Sequence, residues 1–291
     1  MAIRTETIAL LSRRLVMNKI KAFLFRKDGT YAYAVISFVM ALVPEDVFKF
    51  IKYNEIWPDW LRVTVSRVGL CIAIFLFVKL LYCNYIKNRR KVTISADNYM
   101  IHIQYGDILQ ITEGKRVINF DECFTTLVGE APGDIKAASI CGKYLLGHEG
   151  LDVKGLIESA GVKPLKTRSK YKEQERYESG TIVPNGNDLL MAFAKLDKSG
   201  RGCFSYEEYL NCLEKLWEQI DIYHGMKDVY LPVLGSNITY FMDCELTQQQ
   251  LLDIMISSYR LSRRKLRKPY SIHIVCSERE GFSINNVFGL N

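Results

Sequence analysis

The chain has 291 residues, room for two modest domains or one domain with an appendage. Its hydrophobic share of 48% is ordinary for a globular protein, so any membrane segment must be sought locally, and the formal net charge of +7 favours anionic partners: nucleic acid, phospholipid or a phosphorylated ligand. The eight cysteines are scattered without a CxxC pair or any zinc-ligand spacing to the four histidines, which excludes a small disulfide scaffold and a structural zinc site and fits reduced thiols in a cytosolic compartment.

The first 29 residues form a basic leader in which IALLSRRLVMNKIKAFLF alternates apolar pairs with cations at roughly helical spacing. Two readings stay open for it: a segment lying along an anionic membrane surface, or a packed or unstructured tail. A signal peptide is not expected, because many charges precede the first apolar run and no small-residue cleavage site follows it.

Residues 30–90 are expected to be a transmembrane hairpin. The runs YAYAVISFVMALV (Tyr31 to Val43) and VGLCIAIFLFVKLLYC (Val68 to Cys83) each fall short of the 20 or so apolar residues that cross a bilayer, so each must recruit its flanks. The second run is apolar all round, and Trp57, Trp60, Tyr82 and Tyr85 stand where interfacial aromatics belong. Basic residues precede the first run and follow the second, at Lys87, Arg89, Arg90 and Lys91, while the connecting loop is charge-balanced. That asymmetry predicts a two-pass hairpin with both termini in the cytoplasm.

Residues 91–291 read as a separate α/β domain. VTIS and MIHIQ alternate like strands, and RVINF is a short apolar strand. DIKAASICGKYLLG is expected to be helical, and LKTRSKYKEQERYESG a polar surface loop. GTIVP and DLLMAFAKL follow as buried strands, SYEEYLNCLEKLWEQI as an amphipathic helix, VYLPVL as a strand, LTQQQLLDIMISSYRLS as a helix and YSIHIVC as a last strand. Alternating strands and helices predict a mixed sheet covered on both faces.

Ala194 to Leu210, AKLDKSGRGCFSYEEYL, has the spacing of an EF-hand loop, with Asp197 at position 1, Ser199 at 3, Gly202 at 6, Ser205 at 9 and Glu208 at 12. Arg201 at position 5 sets a guanidinium where a ligand oxygen is required, and no second loop of this kind occurs. The better reading is a turn followed by a capping box, Ser205 with Glu208, and no metal site.

GDI (Gly106 to Ile108), then VIN (Val117 to Asn119), then VYLPVLGSNITYF (Val229 to Phe241) before a helix and a closing strand, resembles the macro-domain family in order and spacing over about Val92 to Cys276. The resemblance implies a macro-like three-layer αβα sandwich with a mixed sheet. With the hairpin in front, the chain resembles the membrane-anchored macro-domain effectors of type II Thoeris antiphage defence. Those are implied to sense an ADP-ribose-based second messenger made by a TIR-domain partner, then to self-assemble and disrupt the bilayer. By the same resemblance Asp107 accepts a hydrogen bond from the adenine amino group, Ile108 lies beside the base, and Asn119 meets the distal ribose. Backbone N–H groups at Gly235, Ser236 and Asn237, following a buried strand, converge on the diphosphate.

The departures bear on activity. Phe120, Asp121 and Glu122 stand where macro hydrolases carry a second asparagine, FTTLVGEAPGDIK replaces the glycine-rich stretch, and GSNITYF lacks the second glycine of the usual phosphate loop. No catalytic residue and no cofactor are therefore expected. Glu122, with Asp121, Thr125 and Thr126, is instead a candidate for reading a substituent on the distal ribose. The alternative is a membrane-tethered ADP-ribosyl hydrolase that uses Asp121 or Glu122 to activate water. The basic run RLSRRKLRK, Arg260 to Lys268, closes a helix, where cations complement the macrodipole; contact with lipid phosphates or with a neighbouring subunit stays open. Without interleaved aromatics it is not expected to bind nucleic acid.

Overall fold

The structure, a computed structural model, describes residues 27–44, 47 and 58–287. The readings of the basic leader and of most of the loop between the apolar runs fall outside those residues. The chain divides into two compact units, 1–89 and 90–291.

In the first unit, α1 (Lys27–Leu42) packs beside α2 (Asp59–Lys87). Tyr31 meets Tyr82 with ring centroids 6.1 Å apart and Tyr33 meets Phe75 at 5.8 Å, so the two helices run in opposite directions. Among the described residues α2 alone is long and apolar enough to cross a membrane, over Trp60–Lys87; α1, at 16 residues, is about 24 Å long. Ile72, Phe77, Leu80 and Leu81 stand more than half exposed on α2. Side chains of this kind are stable facing hydrocarbon and unfavourable facing water.

The second unit is a nine-stranded mixed sheet, with strands β1 (Lys91–Ser95), β2 (Met100–Tyr105), β3 (Lys115–Asp121), β4 (Ile182–Asn185), β5 (Asp188–Leu196), β6 (Gly202–Phe204), β7 (Val229–Pro232), β8 (Tyr240–Phe241) and β9 (Ile272–Cys276). The order is β1-β2-β9-β7-β3-β5-β6-β8, with β4 pairing β5 off that path. β2, β9, β7, β3 and β5 are parallel; β1 pairs antiparallel with β2, β4 and β6 pair antiparallel with β5, and β8 pairs parallel with β6.

Period-two alternation sorts the strand residues between two faces. Val117 of β3 and Leu189, Met191 and Phe193 of β5 point into one core, against α5 (Tyr206–Tyr223) and α6 (Gln248–Leu261). Ile118 and Phe120, with Leu190 and Ala192, point into the other, against α3 (Ile140–Leu146) and α4 (Val153–Ser159). The result is the three-layer αβα sandwich with a mixed sheet.

The parallel strands all end at one edge of the sheet. β1 runs the other way, Lys91 pairing with Gln104 and Ser95 with Met100, so the chain enters this domain at the edge where the other strands finish.

The capping box forms as read: Ser205 Oγ accepts from the Glu208 amide at 3.2 Å, and the Glu208 carboxylate accepts from the Ser205 amide at 2.9 Å. Asp197 is engaged within its own turn, accepting from the Ser199 and Arg201 amides and from the Arg201 guanidinium at 3.0 Å. Other readings need correction. The helix expected from Asp134 begins only at Ile140, because Ser139 caps it by accepting from the Gly142 amide, while Asp134 instead accepts from the Ala131 amide within a tight turn. The short strands β6 and β8 carry too few residues to show an alternation. The polar segment 165–180 is irregular, yet it is pinned from beneath by buried Ser169 and Tyr177. In the basic run, Lys268 reaches Ser95 at 3.5 Å and Lys265 lies 5.4 Å from the Tyr99 ring, which sets the run at the end of β1 remote from Arg90.

Candidate functional site

A cavity of about 530 Å³ opens at the C-terminal ends of β3, β5 and β7. This is where open α/β sheets place ligands, and the size suits a small organic molecule. One wall is β3, through Asn119 and Asp121, together with Ser139 and Cys141 where α3 begins. A second is the loop from Glu130 to Lys136, and a third is the β5–β6 hairpin, Ser199 to Gly202. The remaining wall is Pro232 and Val233 at the end of β7, with Asn237 to Tyr240 leading into β8.

Two of those walls meet at glycines. Gly133 and Gly200 have φ of +85° and +77°, and a Cβ on Gly200 would come within 2.6 Å of the Gly133 nitrogen. Only glycine lets the backbones approach so closely in that conformation. At the rim, Tyr240 donates to Asp197 at 2.9 Å, and the Arg201 guanidinium lies 5.0 Å from the Tyr240 ring.

The polar groups within are incompletely matched. Asp121 is buried, and one carboxylate oxygen accepts from the Cys123 amide at 2.8 Å and the Thr125 amide at 3.1 Å. Its other oxygen, and the Asn119 amide oxygen, are buried without a partner among the described residues. Burial raises the Asp121 pKa and lifts the Cys141 thiol well above its usual range. A thiol held neutral is a poor nucleophile.

The turn after β7 carries Gly235 at φ +80° and is braced by Ser236 Oγ, which donates to the Val233 carbonyl at 2.8 Å. Among the described residues, the Gly235, Asn237 and Ile238 amides meet no acceptor. Free N–H groups clustered on such a turn form a concavity suited to an anion. Arg279 donates to the Ser236 carbonyl and to the Asn237 side-chain oxygen.

Of the residues singled out from the sequence, Asn119 and Asn237 line this cavity, and Asp107, Ile108, Glu122, Gly235 and Ser236 do not. Gly235 and Ser236 belong to the turn that carries Asn237 into it. Asp107 is exposed after β2 and accepts from the Leu109 amide at 3.0 Å. β2 and β7 flank β9, so the ends carrying Asp107 and Gly235 lie two strand spacings apart, about 10 Å. Ile108 is 2% exposed and offers a ligand no open face. Glu122 is 1% exposed and accepts from Ser169 Oγ at 2.7 Å, the Leu196 amide at 3.1 Å and Arg176 at 3.1 Å, which makes it a brace beneath the β3–β5 end. The wall from Glu130 to Lys136 is a functional element that the sequence signals only through the Pro132-Gly133 pair, inside the stretch that replaces the glycine-rich loop. A second cavity of about 820 Å³ lies beyond Asp121, between Cys123–Leu127, α4 and Tyr177.

A family model described as the macro domain of Thoeris protein ThsA matches residues 101–277, the whole span from β2 to just past β9. The chain belongs to this family. Thoeris protein ThsA of Bacillus amyloliquefaciens (strain Y2) is 27% identical over 275 residues, which cover 89% of this chain and 88% of that protein. Among solved structures, an Oceanobacillus iheyensis macrodomain variant with ADPR is 10% identical over 65% of this chain and 91% of that one, with a TM-score of 0.42. The same macrodomain with ADP is 9% identical over 65% of this chain and 89% of that one, with a TM-score of 0.37. The match to the ThsA macro family ends at residue 277, so Glu278 and Arg279 stand just outside it.

Proposed function

We infer that this ThsA-family chain is an antiphage defence effector whose macro domain senses an ADP-ribose-derived signal made by a TIR-domain partner. Occupancy drives self-assembly and disruption of the inner membrane, in which the protein is anchored by two passes with both termini cytoplasmic. The observation that carries this reading is the cavity between Asn119 and Asn237. It sets unpartnered acceptors on β3 opposite unpartnered amides after β7, the donor and acceptor pattern that a ribose and a diphosphate require. Asp107, two strand spacings from the turn, stands where the adenine end of such a ligand would lie. The length and apolar surface of α2 support the anchor. The test is phage challenge of cells carrying the whole defence system. Asp107→Ala should abolish protection while the protein still fractionates with membranes; full protection by that variant contradicts the reading.

One observation favours a second reading, a membrane-tethered ADP-ribosyl hydrolase. Asp121 lines the cavity with one oxygen unpartnered and a pKa raised by burial, features of a carboxyl group able to exchange a proton with a bound water. Glu122, held by Arg176 and Ser169, is not placed for that role. Release of free ADP-ribose from an ADP-ribosylated protein, lost in Asp121→Asn, would establish the enzyme; no release by the full chain removes it.

A further inference from the structure

Arg279 stands beside the turn whose amides are free, and it is occupied by weak partners. Its guanidinium donates to a carbonyl, Ser236, and to an amide oxygen, Asn237. Both acceptors are neutral, whereas a phosphate oxygen is anionic, and charge-assisted bonds are roughly twice as strong. The neighbouring residue, Glu278, pairs at 2.5 Å with Arg90, and the Arg90 carbonyl accepts from the Tyr105 amide at 3.2 Å. Arg90 follows Lys87, the last residue of α2, by three positions. Two adjacent side chains therefore connect that turn with Arg90, the residue before β1. The Arg90–Glu278 pair is exposed and contributes little to stability, so it is readily remade.

The geometry points to Arg279 as the cation that takes the ligand's phosphate, and to Glu278–Arg90 as the link that passes its movement to the start of β1. This rests on reading the cavity as a nucleotide-diphosphate site. When a diphosphate settles on the Gly235, Asn237 and Ile238 amides, the Arg279 guanidinium leaves Ser236 and Asn237 for the phosphate oxygens. Glu278 is carried with it, and Arg90 with Glu278. The assignment adds a side-chain cation, from beyond the segment that the family model matches, to a site otherwise built of backbone amides.

Calorimetry of the full chain in detergent with ADP-ribose and with ADP tests the first half. Arg279→Ala should weaken ADP-ribose binding about tenfold to a hundredfold, the value of a hydrogen-bonded charge, and Arg279→Lys should recover part of the loss. Hydrogen exchange over residues 90–95, with and without ADP-ribose, tests the second half. Glu278→Gln should keep affinity within about twofold, since an exposed pair contributes little, while the ligand-induced change in exchange disappears. Wild-type protein that binds ADP-ribose no better than Arg279→Ala overturns the assignment of Arg279 alone. A change in exchange that survives in Glu278→Gln overturns the link. Wild-type protein that binds neither probe overturns the nucleotide reading of the cavity and this inference with it.

Discussion

The Arg176 guanidinium donates to the Glu122 carboxylate at 3.1 Å, joining the irregular segment 165–180 to the end of β3 directly behind the cavity wall. Glu122 is almost fully buried, and Arg176 keeps 22% of its side chain exposed. Removing the arginine leaves a carboxylate in low dielectric with only Ser169 Oγ and the Leu196 amide as donors. Arg176→Ala should therefore destabilise the domain by about 2–4 kcal/mol, whereas Glu122→Gln, which removes the charge and keeps an acceptor, should cost less. Denaturant melts of the two variants decide the order.

Gly200 tests the joint between two cavity walls. With φ of +77° and a Cβ that would meet the Gly133 backbone at 2.6 Å, Gly200→Ala must push the Glu130–Lys136 loop away from the β5–β6 hairpin. The expected cost is about 1–3 kcal/mol of stability together with weaker ADP-ribose binding. Gly186→Ala, also at positive φ but with open space around it, should lose stability without losing binding.

These two sites show what the sequence could and could not convey. The alternating residues of β3 and β5 and the Ser205–Glu208 capping box were legible because each depends on local spacing alone. The role of Glu122 was not, because its partners lie 47, 54 and 74 positions away, at Ser169, Arg176 and Leu196. A carboxylate beside an asparagine reads as a candidate ligand group until its burial is known. Ile108 is a parallel case, since its position after the Asp107 turn was readable and its burial was not. The Glu130–Lys136 wall was hidden by its length: a loop shaped by Pro132, Gly133 and a distant tyrosine, Tyr171, has no periodicity to recognise.

Acid should weaken the domain through His273. The ring is buried between His102, at 4.5 Å between centroids, and Tyr230, at 4.2 Å; Nε2 lies 3.1 Å from the Asp228 carboxylate and 3.0 Å from Ser271 Oγ. Burial, reinforced by His102, lowers its pKa to about 4 from the ordinary 6.5 despite Asp228. The unfolded chain thus binds more protons between those values. Stability contributed by the neutral ring is intact above pH of about 6.5 and is lost as pH falls toward 4, by on the order of 3 kcal/mol. Thermal midpoints measured across that window should fall in the wild type and fall less in His273→Gln.

The two asparagines that face the cavity should act on binding more than on folding. Asn119→Ala and Asn237→Ala are each expected to weaken ADP-ribose binding by about 1 kcal/mol, the net value of one neutral hydrogen bond. Their melting temperatures should stay near that of the wild type, and equilibrium titration of the full chain checks both.

The central claim is the location of the nucleotide. Photolabelling of the full chain with an azido-adenine analogue of ADP-ribose, followed by peptide mapping, tests it most directly. The account predicts label, competed by unmodified ADP-ribose, on the lining of the strand-end cavity, residues 119–121, 130–141 or 232–240, or on residues 105–111 two strands away from its glycine turn. Competed label on residues 123–127, on α4 or on residues 174–177, which border only the second cavity, would contradict it.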